Sequence, residues 1–286
     1  MERLARAVGQ HLGADVVGAT RVHGGDVAMA FRFELADGRT VFAKTHANPP
    51  AGFFTTEAAG LRWLREAGGT LVPEVLTVSD DNPALLVLEW IDVGRPSDGT
   101  DADLGRSLAR LHEAPWPTFG REDRRTTGSR GLPNEPCDAW AEFYATQRMV
   151  PLARLARDGR ALGDGAIAGL ERLDPDRLRG VGGEAEPPSL LHGDLWAGNR
   201  LVGTDGRSWL IDPASHGGHR EFDLAMMRLF GGFGADCFAA YADALPLADG
   251  WEDRVALHQI APLVVHAIKF GGGYVSTVTD AIARYA

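Results

Sequence analysis

A chain of 286 residues can bury a large core in one or two domains, and with 24% charged and 44% hydrophobic residues its composition is that of an ordinary globular protein. The net charge of −10 argues against general binding to nucleic acid or anionic membranes. No stretch approaches the roughly 20 apolar residues of a membrane span, the first residues carry no signal-like apolar run, and Cys137 and Cys237 have no metal-ligand or redox spacing; the expectation is a reduced, cytoplasmic protein without nucleic-acid or membrane partners.

The first ninety residues read mainly as strands after a short helix over about Glu2–Leu12. Residues 15–22 are apolar-rich and β-compatible, and His23-Gly24-Gly25-Asp26 breaks that pattern. Residues 28–35 alternate, with Phe31, Phe33 and Leu35 on one face and Arg32 and Glu34 on the other, which predicts a half-buried strand. Asp37-Gly38 then predicts a tight turn into a strand ending at Lys44. Two strands around a glycine-bearing loop and a third ending in Lys suit a nucleotide roof, although Gly24-Gly25 is not G-x-G-x-x-G and by itself is an ordinary turn. Residues 52–67 follow a helical period and stop at Gly68-Gly69, with Glu57 early in the helix. A strand Lys paired with a helix Glu is how kinases hold nucleotide phosphates; the plainer alternative is a solvated Lys44 and a Glu57 that complements the helix N-terminus. Two apolar runs follow, 71–78 and 84–88, joined by a turn at 80–83. The composition becomes linker-like after Asp92, which places a boundary between 1–92 and 93–286.

The second part reads as helical. Residues 101–113 form an amphipathic helix ending near a structural His112. Residues 116–136 are loop-like, and the cluster Arg121, Arg124, Arg125 and Arg130 reads as a solvated face rather than an anion site. Helices are predicted over 137–156, with an aromatic core stripe, and over 164–173. Beyond the central segment, further helices are predicted from about 220 to 229, 235 to 244 and 251 to 270, with another ending at Tyr285. His258 and His266 read as core or interface residues without acidic neighbours at ligand spacing.

The chemistry concentrates in residues 190–212. His192, Asp194 and Asn199 follow the H-x-D-x-x-x-x-N spacing, and Asp212 ends the apolar run 208–211. Residues 200–212 read as a hairpin turning at Thr204-Asp205-Gly206. Its ends return Asn199 and Asp212 to one cavity, with Asp194 on the loop before it. Phosphoryl transfer needs such a set: a carboxylate that orients a hydroxyl, and oxygen ligands for a metal on the phosphates.

His-Gly-Asp-Leu-Trp-Ala-Gly-Asn (192–199), Asp-Pro-Ala (212–214), the Phe-Gly-Gly-Phe at 230–233 and the Phe-Gly-Gly-Gly-Tyr at 270–274 resemble the fructosamine kinase, or ketosamine-3-kinase, family. The resemblance spans the chain. It implies an α+β, bilobal protein-kinase-like fold shared with aminoglycoside phosphotransferases and choline kinases. The small N-lobe, 1–92, would carry an antiparallel sheet and a helix; the larger C-lobe, 93–286, would be mainly helical. It also implies ATP-dependent phosphorylation of the sugar 3-hydroxyl in small-molecule or protein-bound glycated amines, leading to deglycation. Carried over by position, Asp194 is the base and Asn199 and Asp212 bind Mg2+. Lys44 with Glu57, the loop residues Gly24, Gly25 and Asp26, and the connector Glu89, Trp90 and Ile91 meet ATP. His192 and Asp223 support the catalytic loop, and Trp196 and His216 line the sugar. Some relatives carry a cysteine in the glycine loop for disulfide dimerisation; residues 23–29 have none, so no redox-disulfide dimer is expected, and the expected state is a monomer. The alternatives are an aminoglycoside- or choline-type phosphotransferase on this fold, and a nucleotide-binding pseudokinase.

Overall fold

The computed structural model describes residues 1–22, 28–181 and 186–286. Gly24, Gly25 and Asp26 lie outside the described residues. The chain begins with α1 (Glu2–Leu12), β1 (Val16–Val22), β2 (Met29–Leu35), β3 (Thr40–Thr45), α2 (Phe53–Ala67), β4 (Val75–Ser79) and β5 (Leu85–Glu89). All five strands join one antiparallel sheet in the order β1-β2-β3-β5-β4. Side chains alternate across a strand, so the sheet has two apolar faces. Phe31, Phe33, Leu35, Val41, Ala43, Leu85 and Val87 pack with Leu4 and Val8 of α1. Leu86 and Leu88 face the other way, onto Phe54, Ala58, Leu61 and Leu64 of α2. Lys44 follows Ala43 and pairs with Leu86; the alternation therefore aims its ammonium at the α2 side. The Asp80 carboxylate accepts from the Phe54 amide at 2.9 Å and the Thr55 hydroxyl at 2.5 Å. The 80–83 turn thus caps α2 as well as joining two strands.

The apolar run 71–78 does not form one strand. Pro73 has no N–H for a ladder; the Glu74 carbonyl still accepts from the Glu89 amide at 2.9 Å, but the chain before Pro73 leaves the sheet. Leu71 instead bridges Trp209, and its carbonyl accepts from the Leu210 amide at 2.8 Å.

The remainder comprises α3 (Thr100–Glu113), α4 (Trp140–Tyr144), a π-turn over Ala145–Met149, α5 (Val150–Asp158), α6 (Asp164–Arg172), α7 (Pro175–Arg179), β6 (Ser189–Leu191), β7 (Arg200–Val202), β8 (Ser208–Leu210), β9 (His216–Gly218), α8 (Glu221–Phe230), α9 (Ala235–Ala244), α10 (Trp251–Phe270) and α11 (Gly273–Tyr285). Trp140, Phe143, Tyr144 and Leu152 are buried in one large cluster with Leu257, Ile260 and Val264, as the aromatic stripe predicts. Three features escaped the sequence pattern. The short α7 is capped by Asp174, which accepts from the Arg177 amide at 2.8 Å. Strand β9 pairs antiparallel with β6, bringing Leu191 opposite His216; three residues containing two glycines carry no strand period. The π-turn inserts into a helix whose apolar spacing stays continuous. Among the described residues, no helix is long and apolar enough to cross a membrane.

Candidate active site

The site lies where β3, α2 and the 191–215 segment meet. Lys44 Nζ donates to Glu57 Oε1 at 2.8 Å and also to Asp212 Oδ1. Burial works against the ammonium, but the two carboxylates outweigh it and raise its pKa, so Lys44 is a cation. Burial raises the Glu57 carboxyl above its ordinary value, against the pull of Lys44 and with the help of the Asp212 charge. Thus the strand lysine is neither solvated nor singly paired. It links helix α2 to the residue that follows the β7–β8 hairpin.

Asp212 has φ of 55°, a left-handed conformation that Asp tolerates better than most side chains. The close approach of the 192–199 loop to residue 214 demands glycine at 193. Its φ is 80°, and a Cβ there would run into the Ala214 carbonyl. The Ala214 amide in turn donates to the His192 carbonyl at 2.9 Å.

Asn199 ends a single 3-10 turn and is buried. Its Nδ2 donates to the Asp194 carbonyl at 2.8 Å and to Asp194 Oδ2 at 3.0 Å. The amide nitrogen is therefore committed to the loop, leaving Oδ1 as the atom able to ligate a cation. Burial lifts the Asp194 carboxyl to about 6; Asn199 opposes this, Asp212 and Asp223 reinforce it, and Lys269 lowers it. At neutral pH the group is mostly ionised and holds a proton far better than an ordinary aspartate.

Asp223, on α8, carries the loop. It is fully buried and accepts from the His192 amide at 2.7 Å and the Gly193 amide at 2.9 Å. Burial pushes its pKa up, yet the His112 ring, His192 and the Gly193 amide more than compensate, so the carboxyl lies below its ordinary value. His112 Nε2 donates to Asp223 at 3.3 Å and its Nδ1 meets Tyr241 Oη at 2.9 Å. His112 is structural, as the sequence suggests, and its partners lie far away in the chain. The buried His192 donates from Nε2 to the Ile211 carbonyl at 3.0 Å. The Asp194 amide donates to its Nδ1 at 3.3 Å. Burial lowers its pKa, so a neutral ring ties the Asp194 loop to the end of β8.

The other expected residues fall in different places. Glu89 ends β5, where its carboxylate accepts from the Glu74 amide at 3.1 Å. Trp90 and Ile91 begin the connector, and Trp90 Nε1 donates to Asp92 at 2.9 Å. Trp196 is 40% exposed and stands edge-on to Phe230 with ring centres 6.0 Å apart. His266 joins the same aromatic group, 4.9 Å from Phe230 and 5.1 Å from Tyr274. His216 does not fit the expected sugar wall. It is buried against Phe143, its Nδ1 donates to the Ala214 carbonyl at 2.9 Å, and burial together with Arg148 lowers its pKa to about 3. Pairing of β9 with β6 turns that ring inward. His258 is a core residue as expected, 1% exposed, but an acidic neighbour that its own helix does not supply, Glu221, reaches it from α8 at 3.3 Å. Glu221 also accepts the Arg254 fork at 2.9 and 2.6 Å, and the ligand atoms of the buried His219, Glu221 and His258 lie within 4.8 Å of one another.

The Arg121 side chain is likewise not solvated. It is 1% exposed, while Arg124, Arg125 and Arg130 are exposed. The sequence missed it because nothing in a loop of four arginines distinguishes the buried one.

A five-stranded antiparallel sheet over a helical body, with this polar set beneath the sheet, defines a protein-kinase-like phosphotransferase. An aminoglycoside phosphotransferase solved with ADP and hygromycin B shares the fold, at a TM-score of 0.63 and 16% identity, covering 99% of this chain and 98% of its own. The model of the fructosamine kinase family matches residues 1–286, and the chain belongs to that family of ATP-using kinases. "Probable ketoamine kinase" of Lactiplantibacillus plantarum is 34% identical over 274 residues, 95% of each chain. The chloroplastic protein-ribulosamine 3-kinase of Arabidopsis thaliana is 33% identical over 273 residues, 92% of this chain and 81% of the relative. A crystal structure of a fructosamine-3-kinase candidate from Thermobifida fusca superposes with a TM-score of 0.90 at 37% identity, covering 100% and 99% of the two chains.

Proposed function

We propose that this chain transfers the γ-phosphoryl group of ATP, with Mg2+, to the sugar 3-hydroxyl of ketosamines, so that the amine is subsequently released from its sugar. Family membership and the substrates in the relatives' names support this reading. The observation that carries it is the coupling of two halves of one cleft. Lys44 is shared by Glu57 and Asp212, and Asn199 joins Asp194 within the loop that packs against Asp212. The division into 1–92 and 93–286 belongs to the same reading, with the nucleotide held between the parts and Glu89–Ile91 at the adenine.

The roles follow from the chemistry of the groups. Lys44 neutralises phosphate charge, and Glu57 fixes its position on the strand. Asn199 Oδ1 and the Asp212 carboxylate are hard oxygen donors suited to Mg2+. Bound there, the ion would offset charge on the phosphates. Asp194 accepts a hydrogen bond from the sugar hydroxyl and orients its oxygen at the γ-phosphorus. As the new P–O bond forms and the bond to ADP breaks, Asp194 takes the hydroxyl proton. The neutral His192 and the buried Asp223 hold the loop, so little reorganisation accompanies reaction. Trp196 offers an exposed aromatic face for the sugar.

The test is Mg2+-dependent ADP release with fructosyl-lysine, ribulosyl-lysine, an aminoglycoside and choline, with Asp194→Asn as control. Turnover on a ketosamine that disappears in the variant is the expected result. Turnover only on the aminoglycoside or choline would keep the phosphotransferase and reject the substrate.

A further inference from the structure

Helix α2 carries Glu57, and the 212–215 segment carries Asp212, so the Lys44 ion pairs form only if these two pieces of chain keep a fixed separation. Two contacts set it. Gly60 of α2 lies so close to that segment that a Cβ would sit 3.1 Å from Ser215 Cβ and 3.7 Å from Pro213. Six residues beyond Glu57, the Trp63 ring lies 5.5 Å from Trp116 and 4.1 Å from the Arg121 guanidinium. Arg121 Nη1 donates to the Ser215 carbonyl at 2.7 Å, and its Nε and Nη2 grip Asp123 at 2.8 and 2.7 Å. Its backbone is fixed too: its amide donates to the Asn134 carbonyl at 2.9 Å, and Gly120 pairs with Gly217 in both directions at 2.8 Å.

We propose that Arg121 is a positioning residue for the nucleotide site, a latch whose planar cation holds α2 through Trp63 and the metal-ligand segment through Ser215. Neither Arg121 nor Trp63 touches Lys44. They fix the two carboxylates that do, and the proposal rests on the kinase reading of Lys44. Only arginine supplies both a flat face for the indole and a fork for Asp123 while a further nitrogen reaches the carbonyl. A lysine would keep the charge and lose the geometry.

The experiment compares Arg121→Gln, Arg121→Lys and Trp63→Leu with the unmodified chain in two readouts. The first is amide hydrogen exchange across α2 in the ligand-free protein. The second is affinity for MgADP by calorimetry, repeated in a Glu57→Gln background. The latch predicts faster exchange confined to α2, with α3 and α10 unchanged, and MgADP affinity lowered about tenfold in each variant. In the Glu57→Gln background, Arg121→Gln should cost clearly less than in the unmodified chain, because the part of its effect that acts through Glu57 is already lost and only the part that acts through Asp212 remains. A loss that multiplies in the double variant overturns the proposal, as does unchanged α2 exchange. If Arg121→Gln fails to fold, Trp63→Leu cuts the same stack while leaving both Arg121 hydrogen-bond partners in place. A wild-type chain that binds MgADP but ignores ketosamines rejects the substrate, not the latch, and the exchange measurement needs neither ligand.

Discussion

Replacing Asp194 with Asn should abolish turnover and make the protein more stable at neutral pH. The Asp194 carboxyl, half-buried, sits at about 6 rather than near its ordinary value. Holding it ionised in the fold therefore costs up to about 3 kcal/mol, and solvent reaching the half-buried side chain reduces this to about 1–2 kcal/mol. Because the folded pKa is raised, the penalty is fully present above about pH 6. It fades as pH falls and is gone below about pH 4, where the unfolded chain is protonated too. The neutral amide removes the penalty and still accepts the Asn199 hydrogen bond. The variant should therefore melt about 2–4 °C above wild type at pH 8, with the gap closing by pH 4. Calorimetric or fluorescence melts at both pH values measure this. A gap that does not change with pH, or a variant less stable at pH 8, would refute the electrostatic account. If Asp194 is the base, as proposed, kcat should fall as pH drops through about 6, where its carboxyl takes up a proton.

Lys44→Met leaves Glu57 and Asp212 facing each other without a cation. MgATP affinity should fall at least tenfold, and stability at pH 7 by about 2 kcal/mol, with part of the stability recovered at lower pH as Glu57 protonates; calorimetry and urea melts report both. Asp223→Ala strands two buried loop amides, at about 1–3 kcal/mol each, so the melting temperature should drop by several degrees and kcat should collapse. A melting temperature within a degree of wild type would remove Asp223 from its supporting role. Trp196→Ala should raise KM for a ketosamine about tenfold and leave KM for MgATP unchanged, as steady-state kinetics with each substrate varied will show.

The elements that follow local rules were legible in the chain. Alternation of Phe31, Phe33 and Leu35 marked β2, the helical period and Gly68 marked α2, and the turn at 204–206 marked the β7–β8 hairpin. Each depends on side-chain spacing within a few residues of itself. The spacing of His192, Asp194, Asn199 and Asp212 was likewise local enough to be read directly, because one loop and one hairpin carry all four. Lys44 and Glu57 were legible only jointly with that motif, since a strand lysine and a helix glutamate are common apart from it.

Tertiary structure decided the rest. Pro73 diverted the front of the 71–78 run toward Trp209, and β9 formed only because β6 lay beside it. His216 was turned inward by that pairing, and His258 gained its acidic neighbour from another helix. The clearest case is Arg121. Four arginines stand in one loop, and their local sequence gives all of them the same solvated outlook. One is buried because Trp63, Asp123 and the Ser215 carbonyl, which come from three parts of the chain, converge on it. Burying a guanidinium is tolerable only where a counter-ion and hydrogen-bond acceptors await it, and partners drawn from residues 63 and 215 leave no trace in the spacing of residues 116–136.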